Sequence, residues 1–128
     1  PAAARLAAKG LTIPHYFLDD AGGAGTILGA LSRLEAVVSM RLHALIFAAG
    51  QGIPLAGVVY DPKVSAFLRY TGQENFTDLE DLTEKRLRAM IDLAVSQAGH
   101  PEAQEAAVQR LQAMEEGNAA VARRLLGL

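Results

Sequence analysis

The feature that most constrains the fold is the alternation of short apolar runs with helix patterns between residues 36 and 70. Residues 36–40, "AVVSM", and residues 54–60, "PLAGVVY", are Val-rich and apolar on both faces, as buried parallel strands are. Residues 41–49, "RLHALIFAA", and residues 62–70, "PKVSAFLRY", have helix-forming residues instead. Two strands alternating with two helices predict right-handed crossovers and a parallel sheet. We therefore expect an α/β, Rossmann-like fold with flanking helices.

The ends of these two helices have distinct sequence signals. Gly50 and Gly52 suit the end of the first helix. Asp61 followed by Pro62 predicts an N-cap and a proline at the first position of the second helix. That helix should end near Gly72.

The N-terminal part of the chain is less regular. Residues 11–18, "LTIPHYFL", are a candidate strand that Pro14 weakens. Residues 25–34, "GTILGALSRL", predict a helix with Ile27, Leu28, Leu31 and Leu34 on one face. The Ala-rich residues 1–10 are interpreted as the end of a helix.

The C-terminal part predicts further helices. Thr83 is a plausible cap for a helix that stops around Gly99. Its core stripe contains Leu87, Met90, Ile91, Ala94 and Val95. Residues 101–126 predict one long helix or two, since Asn118 interrupts the apolar seam. The seam consists of Ala107, Leu111, Met114, Val121 and Leu125, and it needs the sheet, a missing domain or another copy of the chain to cover it.

Composition limits the functional classes. The 128 residues suit a single domain spanning 1–128, and the formal charge of −2 argues against general nucleic-acid binding. The absence of Cys excludes disulfides, thiolate metal sites and a Cys nucleophile. The longest apolar run, 44–49, is too short to cross a bilayer. Because the chain starts at Pro1 and not at Met, we expect a processed or excised piece of a longer protein.

The junction between the first strand and its helix is the strongest candidate site. In open parallel sheets, ligands bind beyond the carboxyl ends of the strands, where helix N-termini attract anions. Arg41 adds a permanent charge that can grip a carboxylate or phosphate, and His43 can donate a proton near neutral pH. The alternative is structural, with Arg41 paired to a nearby acid and His43 a packing residue.

Lys63 follows the second strand in the same way. It could point toward the same edge and neutralise phosphate, although a solvated lysine after an Asp-Pro helix start is the better explanation when Lys63 is taken alone. Together with Arg41 and His43, it could line a single cleft.

Other motifs carry weaker signals. Gly23, Gly25 and Gly29 are spaced GxGxxxG, which differs from a dinucleotide fingerprint, and we interpret them as a turn beside the loop carboxylates Asp19 and Asp20.

The remaining polar residues are assigned to no site. His15 and His100 have no metal-ligand spacing, and no metal site is expected. The acidic residues Glu74, Asp78, Glu80 and Asp81 are interpreted as a solvated loop.

Residues 39–68, "SMRLHALIFAAGQGIPLAGVVYDPKVSAFL", resemble the signature of the bacterial polysaccharide pyruvyl transferases. "MRLHALIFAA", a G-[IV]-P turn and "YDPKV" stand in the order and spacing of that family. Residues 76–87, "FTDLEDLTEKRL", resemble its following segment, so the resemblance covers about residues 11–95. Ser39 departs from the pattern, because Gly is frequent there.

The resemblance implies a function and a site. The family transfers a pyruvyl group from phosphoenolpyruvate to a sugar of a cell-wall polysaccharide or exopolysaccharide, as a ketal. It implies that Arg41, Leu42 and Lys63 bind phosphoenolpyruvate and that His43 is catalytic. No cofactor is required beyond this donor substrate.

The resemblance also implies a setting. This chain would be the C-terminal, donor-binding part of a two-domain, GT-B-like transferase, with an N-terminal acceptor-binding domain missing. The partners would be phosphoenolpyruvate and a sugar or lipid-linked polysaccharide acceptor, without nucleic acid. The location would be cytoplasmic, at the inner face of the membrane. The activity of the isolated chain is an open question.

Two alternatives to this function stay open. One is a GT-B glycosyltransferase domain that uses a nucleotide-sugar donor. The other is a non-catalytic fragment whose C-terminal helix forms a homo-oligomer.

Overall fold

The computed structural model describes residues 2–18 and 22–127, and its centre is a parallel sheet. The strands are β1 (Val37–Ser39), β2 (Leu55–Val59) and β3 (Phe76–Asp78), in the order β1-β2-β3. Val37 is in register with Leu55, and Gly57 with Phe76. The expected α/β class with a parallel sheet and flanking helices is therefore confirmed.

The described part of the chain contains six α-helices. They are α1 (Ala2–Ala8), α2 (Ala24–Leu31), α3 (Leu42–Gly50), α4 (Pro62–Tyr70), α5 (Glu84–Gln97) and α6 (Glu102–Leu126). Of these helices, α3, α4 and α5 pack on the sheet. A single 3₁₀ turn, Leu79–Asp81, follows β3. The helices predicted after the first two strands thus lie where the sequence places them.

The predicted caps are present at the starts of α4 and α5. The Asp61 carboxylate accepts the backbone N–H of Lys63 at 2.9 Å, and Pro62 occupies the first helical position. The Thr83 hydroxyl oxygen accepts the backbone N–H of Arg86 at 3.2 Å. These side chains satisfy amide donors that have no partner inside their helices.

The hydrophobic core lies between β2 and the helices α3 and α4. All five residues of β2 are buried, as expected for a central strand. Its side chains join those of α3 and α4 in one cluster, whose fully enclosed members include Leu45, Leu55, Val64 and Leu68. This core fixes both helices relative to the carboxyl end of β2.

Strand β1 differs from the prediction that both of its faces are buried. Val37 is buried in the core with α3, but Val38 is 45% exposed. Among the described residues, strand β1 pairs only with β2 and lies at the edge of the sheet. One of its faces packs on α3, while Val38 on the opposite face is exposed.

Strand β3 was not predicted. The buried side-chain amide of Asn75, the residue directly before it, fixes the start of this strand by hydrogen bonds. The side-chain Nδ2 of Asn75 donates to the carbonyl oxygens of Leu55 at 3.0 Å and Met90 at 2.9 Å. It thereby links β2, β3 and α5. Met90 and Ala94 are the buried members of the predicted α5 stripe, whereas Ile91 and Val95 are exposed.

Residues 102–126 form one continuous helix, which decides between the two expected forms. Asn118 does not interrupt α6, because an exposed Asn lowers helix propensity by only about 0.6 kcal/mol. Ala107 is buried and Leu111 packs against the core. The rest of the seam, Met114, Val121 and Leu125, is exposed. Self-association through this seam stays a prediction.

The strand predicted over residues 11–18 is wrong. Residues 11–18 contain no regular element, and Leu11, Ile13 and Tyr16 are exposed. Pro14 cannot donate to a ladder, and no strand of the described sheet pairs with this segment.

Helices α1 and α2 agree with the prediction in position. Helix α2 ends at Leu31, so Leu34 lies outside it, and none of its residues is fully buried. The loop carboxylates Asp19 and Asp20 lie outside the described residues. Within the described ranges, no helix combines the length and apolarity that crossing a membrane requires.

Candidate functional site

The parallel sheet brings three strand-to-helix junctions to one edge. Strand β1 ends at Ser39, β2 at Val59 and β3 at Asp78, and the sheet is parallel throughout. The carboxyl ends of the strands therefore face the same side, where ligands of open α/β sheets bind. The predicted residues Arg41, Leu42, His43 and Lys63 all follow these strand ends.

The first junction is shaped by Ser39. Its hydroxyl oxygen accepts the backbone N–H of Arg41 at 3.0 Å, and the hydroxyl also lies 3.5 Å from the Arg41 carbonyl oxygen, to which it donates. A glycine at position 39 would provide neither bond. The departure from the family pattern at Ser39 thus stabilises the turn into α3.

The start of α3 has no side-chain cap. Arg41 is the N-cap residue, with extended backbone angles of φ −90° and ψ 121°, and no side chain accepts from the first turn. The backbone N–H groups of Leu42, His43 and Ala44 have no acceptor inside the helix. Together with the positive end of the helix dipole, they form a place that favours an anion.

The three predicted residues of this turn have different surroundings. Arg41 and His43 are exposed, whereas the side chain of Leu42 is half-buried and packs against the core. Packing of Leu42 orients the first turn, so that its neighbours Arg41 and His43 project outward. A contact of Leu42 with a ligand could thus come from its backbone N–H.

The second junction already has an internal ion pair. The Lys63 ammonium lies 3.2 Å from the Asp61 carboxylate, and the Lys63 side chain is 61% exposed. The backbone N–H of Lys63 holds the pKa of Asp61 below its ordinary value of 3.8; partial burial opposes this shift, and the Lys63 ammonium adds to it. Because the Asp61 carboxylate caps the first turn of α4 as an anion, this helix start disfavours a second anion.

A cleft of about 410 Å³ opens between the ends of β2 and β3. It is lined by Val59, Tyr60, Asp61, Pro62, Ser65, Asp78, Leu79, Glu80 and Asp81. Four carboxylates make its wall acidic, and the predicted Arg41, Leu42, His43 and Lys63 do not line it. The structure therefore separates a cationic junction at β1 from an acidic cleft at β2 and β3.

The sequence interpretation missed this cleft. Asp78, Glu80 and Asp81 are exposed, as predicted for a solvated loop, but they also line the cleft together with Tyr60 and Asp61. The sequence did hold a signal for it. The segment "FTD" forms the short strand β3, and the acidic residues that follow it therefore lie at a strand end, next to the end of the neighbouring strand β2.

The described residues offer no metal centre. No group of three or more His, Asp or Glu side chains in residues 2–18 and 22–127 is arranged to hold a metal ion. His15 contacts the Ile13 carbonyl oxygen at 2.9 Å, and His100 contacts the Glu102 carboxylate at 3.3 Å. Both contacts lie within two residues along the chain.

The fold and this edge define an α/β protein with an open parallel sheet and an anion-favouring helix start. The model of the polysaccharide pyruvyl transferase family matches residues 4–62, which confirms the family resemblance of the sequence. The match includes β1, α3, β2 and the Arg41-Leu42-His43 turn, and Lys63 directly follows it. No curated protein and no solved structure matches the chain.

Proposed function

We propose that this chain is the donor-binding part of a polysaccharide pyruvyl transferase that uses phosphoenolpyruvate. The observation that carries the proposal is the family match over residues 4–62, together with the uncapped start of α3 inside the matched segment. The proposed setting is a two-domain, GT-B-like transferase acting on a sugar of a cell-wall polysaccharide or exopolysaccharide.

The electrostatics of α3 suit this donor. Phosphoenolpyruvate carries a carboxylate and a phosphate, and each can accept hydrogen bonds from first-turn N–H groups or from the Arg41 guanidinium. At α4 the Asp61 carboxylate already takes that position, and its charge offsets that of Lys63. The main anion contacts are therefore assigned to α3, with Lys63 in a secondary role.

The chemistry requires a proton donor near this anion. The enol CH₂ of phosphoenolpyruvate gains a proton, and a sugar hydroxyl adds to the resulting cationic carbon with loss of its own proton. The C–O bond to phosphate then breaks, and a second hydroxyl of the same sugar adds to the carbon and closes the ketal ring, its proton passing to the released phosphate. His43 is exposed in the first turn of α3, where it can protonate the carbon or the departing phosphate.

Isothermal titration of the chain with phosphoenolpyruvate tests the donor assignment. Arg41→Ala should weaken binding by at least about tenfold, the loss expected for one charge-assisted hydrogen-bond pair. Arg124→Ala removes the same charge from an exposed position near the end of α6 and serves as the matched control. Equal affinities of Arg41→Ala and the unmodified chain would contradict the proposal, as would binding of UDP- or GDP-sugars with indifference to phosphoenolpyruvate.

A further inference from the structure

The hydroxyl of Ser39, at the turn from β1 into α3, is only partly satisfied. Its oxygen accepts the backbone N–H of Arg41 at 3.0 Å, an ordinary length for such a bond. Its proton is less well placed, since the Arg41 carbonyl oxygen lies 3.5 Å away. Hydrogen bonds between oxygens usually span roughly 2.5–3.0 Å. The hydroxyl can therefore turn its proton to a closer acceptor without giving up the bond from the Arg41 N–H.

Strand β1 directs this hydroxyl toward the start of α3. Side chains two residues apart in a strand point to the same face, and Val37 packs in the core with α3. Ser39 thus points to the face that α3 covers, and its side chain is half-buried. Because its oxygen is bonded to the Arg41 N–H, covalent geometry keeps it within about 7 Å of the Leu42 backbone nitrogen. A single phosphate that accepts hydrogen bonds on two of its oxygens spans such a distance.

The donors at this junction suit a phosphate better than a carboxylate. The backbone N–H groups of residues 42–44 have no acceptor inside α3, and the Ser39 hydroxyl adds a fourth donor beside them. A phosphate ester offers three terminal oxygens and up to two negative charges, whereas a carboxylate offers two oxygens and one charge. The planar Arg41 guanidinium, by contrast, matches a carboxylate, which it can hold with two parallel hydrogen bonds.

From these contacts we infer that Ser39 binds the donor directly, its hydroxyl donating to the phosphate group that lies on the first-turn amides of α3. Arg41 then holds the carboxylate of the same molecule. The inference rests on the proposed function, to which it adds a phosphate-binding side chain and the orientation of the donor. A chain with glycine at position 39 would lack this hydrogen bond.

Amide NMR titrations with phosphoenolpyruvate and with inorganic phosphate test the contact. Ser39→Ala should weaken both ligands by the same factor, about fivefold or more, because both carry the phosphate that loses a hydrogen bond. Ser39→Gly should do the same, whereas Ser39→Thr keeps a hydroxyl and should retain most of the affinity. Arg41→Ala should instead cost phosphoenolpyruvate more affinity than inorganic phosphate, which has no carboxylate.

The two ligands also separate a direct contact from a role in shaping the turn. If Ser39 only fixed the turn, Ser39→Ala would also misplace Arg41 and would cost phosphoenolpyruvate more affinity than inorganic phosphate. That result would overturn the inference, as would unchanged affinity in Ser39→Ala or failure of inorganic phosphate to bind at residues 42–44. Ser96→Ala removes an exposed hydroxyl of α5 and is the matched control, which should bind both ligands like the unmodified chain.

The same titrations distinguish this inference from the proposed function. Phosphoenolpyruvate shifts at residues 42–44 that are equally strong in Ser39→Ala would refute only the Ser39 contact. An unmodified chain that binds neither ligand there would refute the donor assignment and the Ser39 contact together.

Discussion

Asp61 contacts Lys63 twice, once through the backbone N–H at 2.9 Å and once through the side-chain ammonium at 3.2 Å. The carboxylate therefore caps α4 and also offsets the charge of the lysine. This pair explains why two similar strand-to-helix junctions have different electrostatic character. The junction at β1 has an exposed arginine and no side-chain cap for the first turn of α3, whereas at β2 the Asp61 carboxylate caps α4 and offsets the charge of Lys63.

The first prediction concerns the cap itself. Asp61→Ala should lower the urea midpoint of unfolding, because the Lys63 N–H loses its acceptor. Asp61→Asn should retain most of the stability, since an amide oxygen can accept the same bond. Equal midpoints for Asp61→Ala and the unmodified chain would show that the cap does not stabilise α4.

The second prediction concerns pH. The folded-state pKa of Asp61 lies below the ordinary value of 3.8, first because of the Lys63 backbone N–H and further because of its ammonium. The resulting stabilisation is complete above the unfolded pKa and is lost as pH falls through the lowered folded pKa. The advantage of the unmodified chain over Asp61→Asn should thus be constant at neutral pH and shrink as the pH falls below the ordinary carboxyl value of 3.8. Urea titrations at several pH values measure it, with Asp92→Asn as the control for removing a carboxylate; an advantage that grows on acidification would contradict the assignment.

The third prediction concerns the buried amide of Asn75. Asn75→Ala leaves the Leu55 and Met90 carbonyl oxygens without their donor, so the free energy of unfolding should fall by about 2–3 kcal/mol. Asn118→Ala, at an exposed position of α6, is the matched control and should change stability by less than about 0.7 kcal/mol. Similar values for the two variants in chemical denaturation would rule out the linking role of Asn75.

The fourth prediction concerns a close approach in β2. A Cβ at Gly57 would lie 2.7 Å from Leu68 Cδ1 and 3.2 Å from Phe76 Cβ. Gly57→Ala should therefore destabilise the fold by about 1–3 kcal/mol. Gly29→Ala has open space in α2 and should be neutral or stabilising by up to about 1 kcal/mol. A thermal midpoint of Gly57→Ala equal to that of the unmodified chain would contradict the packing described here.

Much of the central fold could be predicted from the sequence because the local signals agree with the packing. Val-rich β2 is buried on both faces, and the Asp61-Pro62 pair starts α4 where cap chemistry places it. The signals for α3 likewise agree, with Gly50 as its last residue and Gly52 at a φ of +68° just beyond it.

Other elements depend on contacts that the sequence does not display. Strand β3 has only three residues, and pairing with β2 together with the Asn75 amide defines it more than β propensity does. Residues 11–18 have strand-like composition but no partner in the described sheet. Local patterns therefore mislead where a neighbouring element decides the conformation.

The candidate site was predictable in the same uneven way. The positions of Arg41 and His43 could be predicted from a single strand-to-helix junction. The family resemblance could be predicted from the motif that surrounds these two residues. The Asp61 contact to Lys63 and the acidic cleft both depend on side-chain geometry between neighbouring elements. The spacing of residues along the sequence does not reveal such geometry. It therefore did not show that the Lys63 ammonium is paired with the Asp61 carboxylate.

Amide NMR of the ¹⁵N-labelled chain with phosphoenolpyruvate can show whether the start of α3 holds the anionic donor. Saturable shifts should be largest at Leu42, His43 and Ala44, and they should vanish in Arg41→Ala. Shifts centred on the Asp61-capped start of α4, or no saturable shifts at all, would contradict this assignment of the donor to α3.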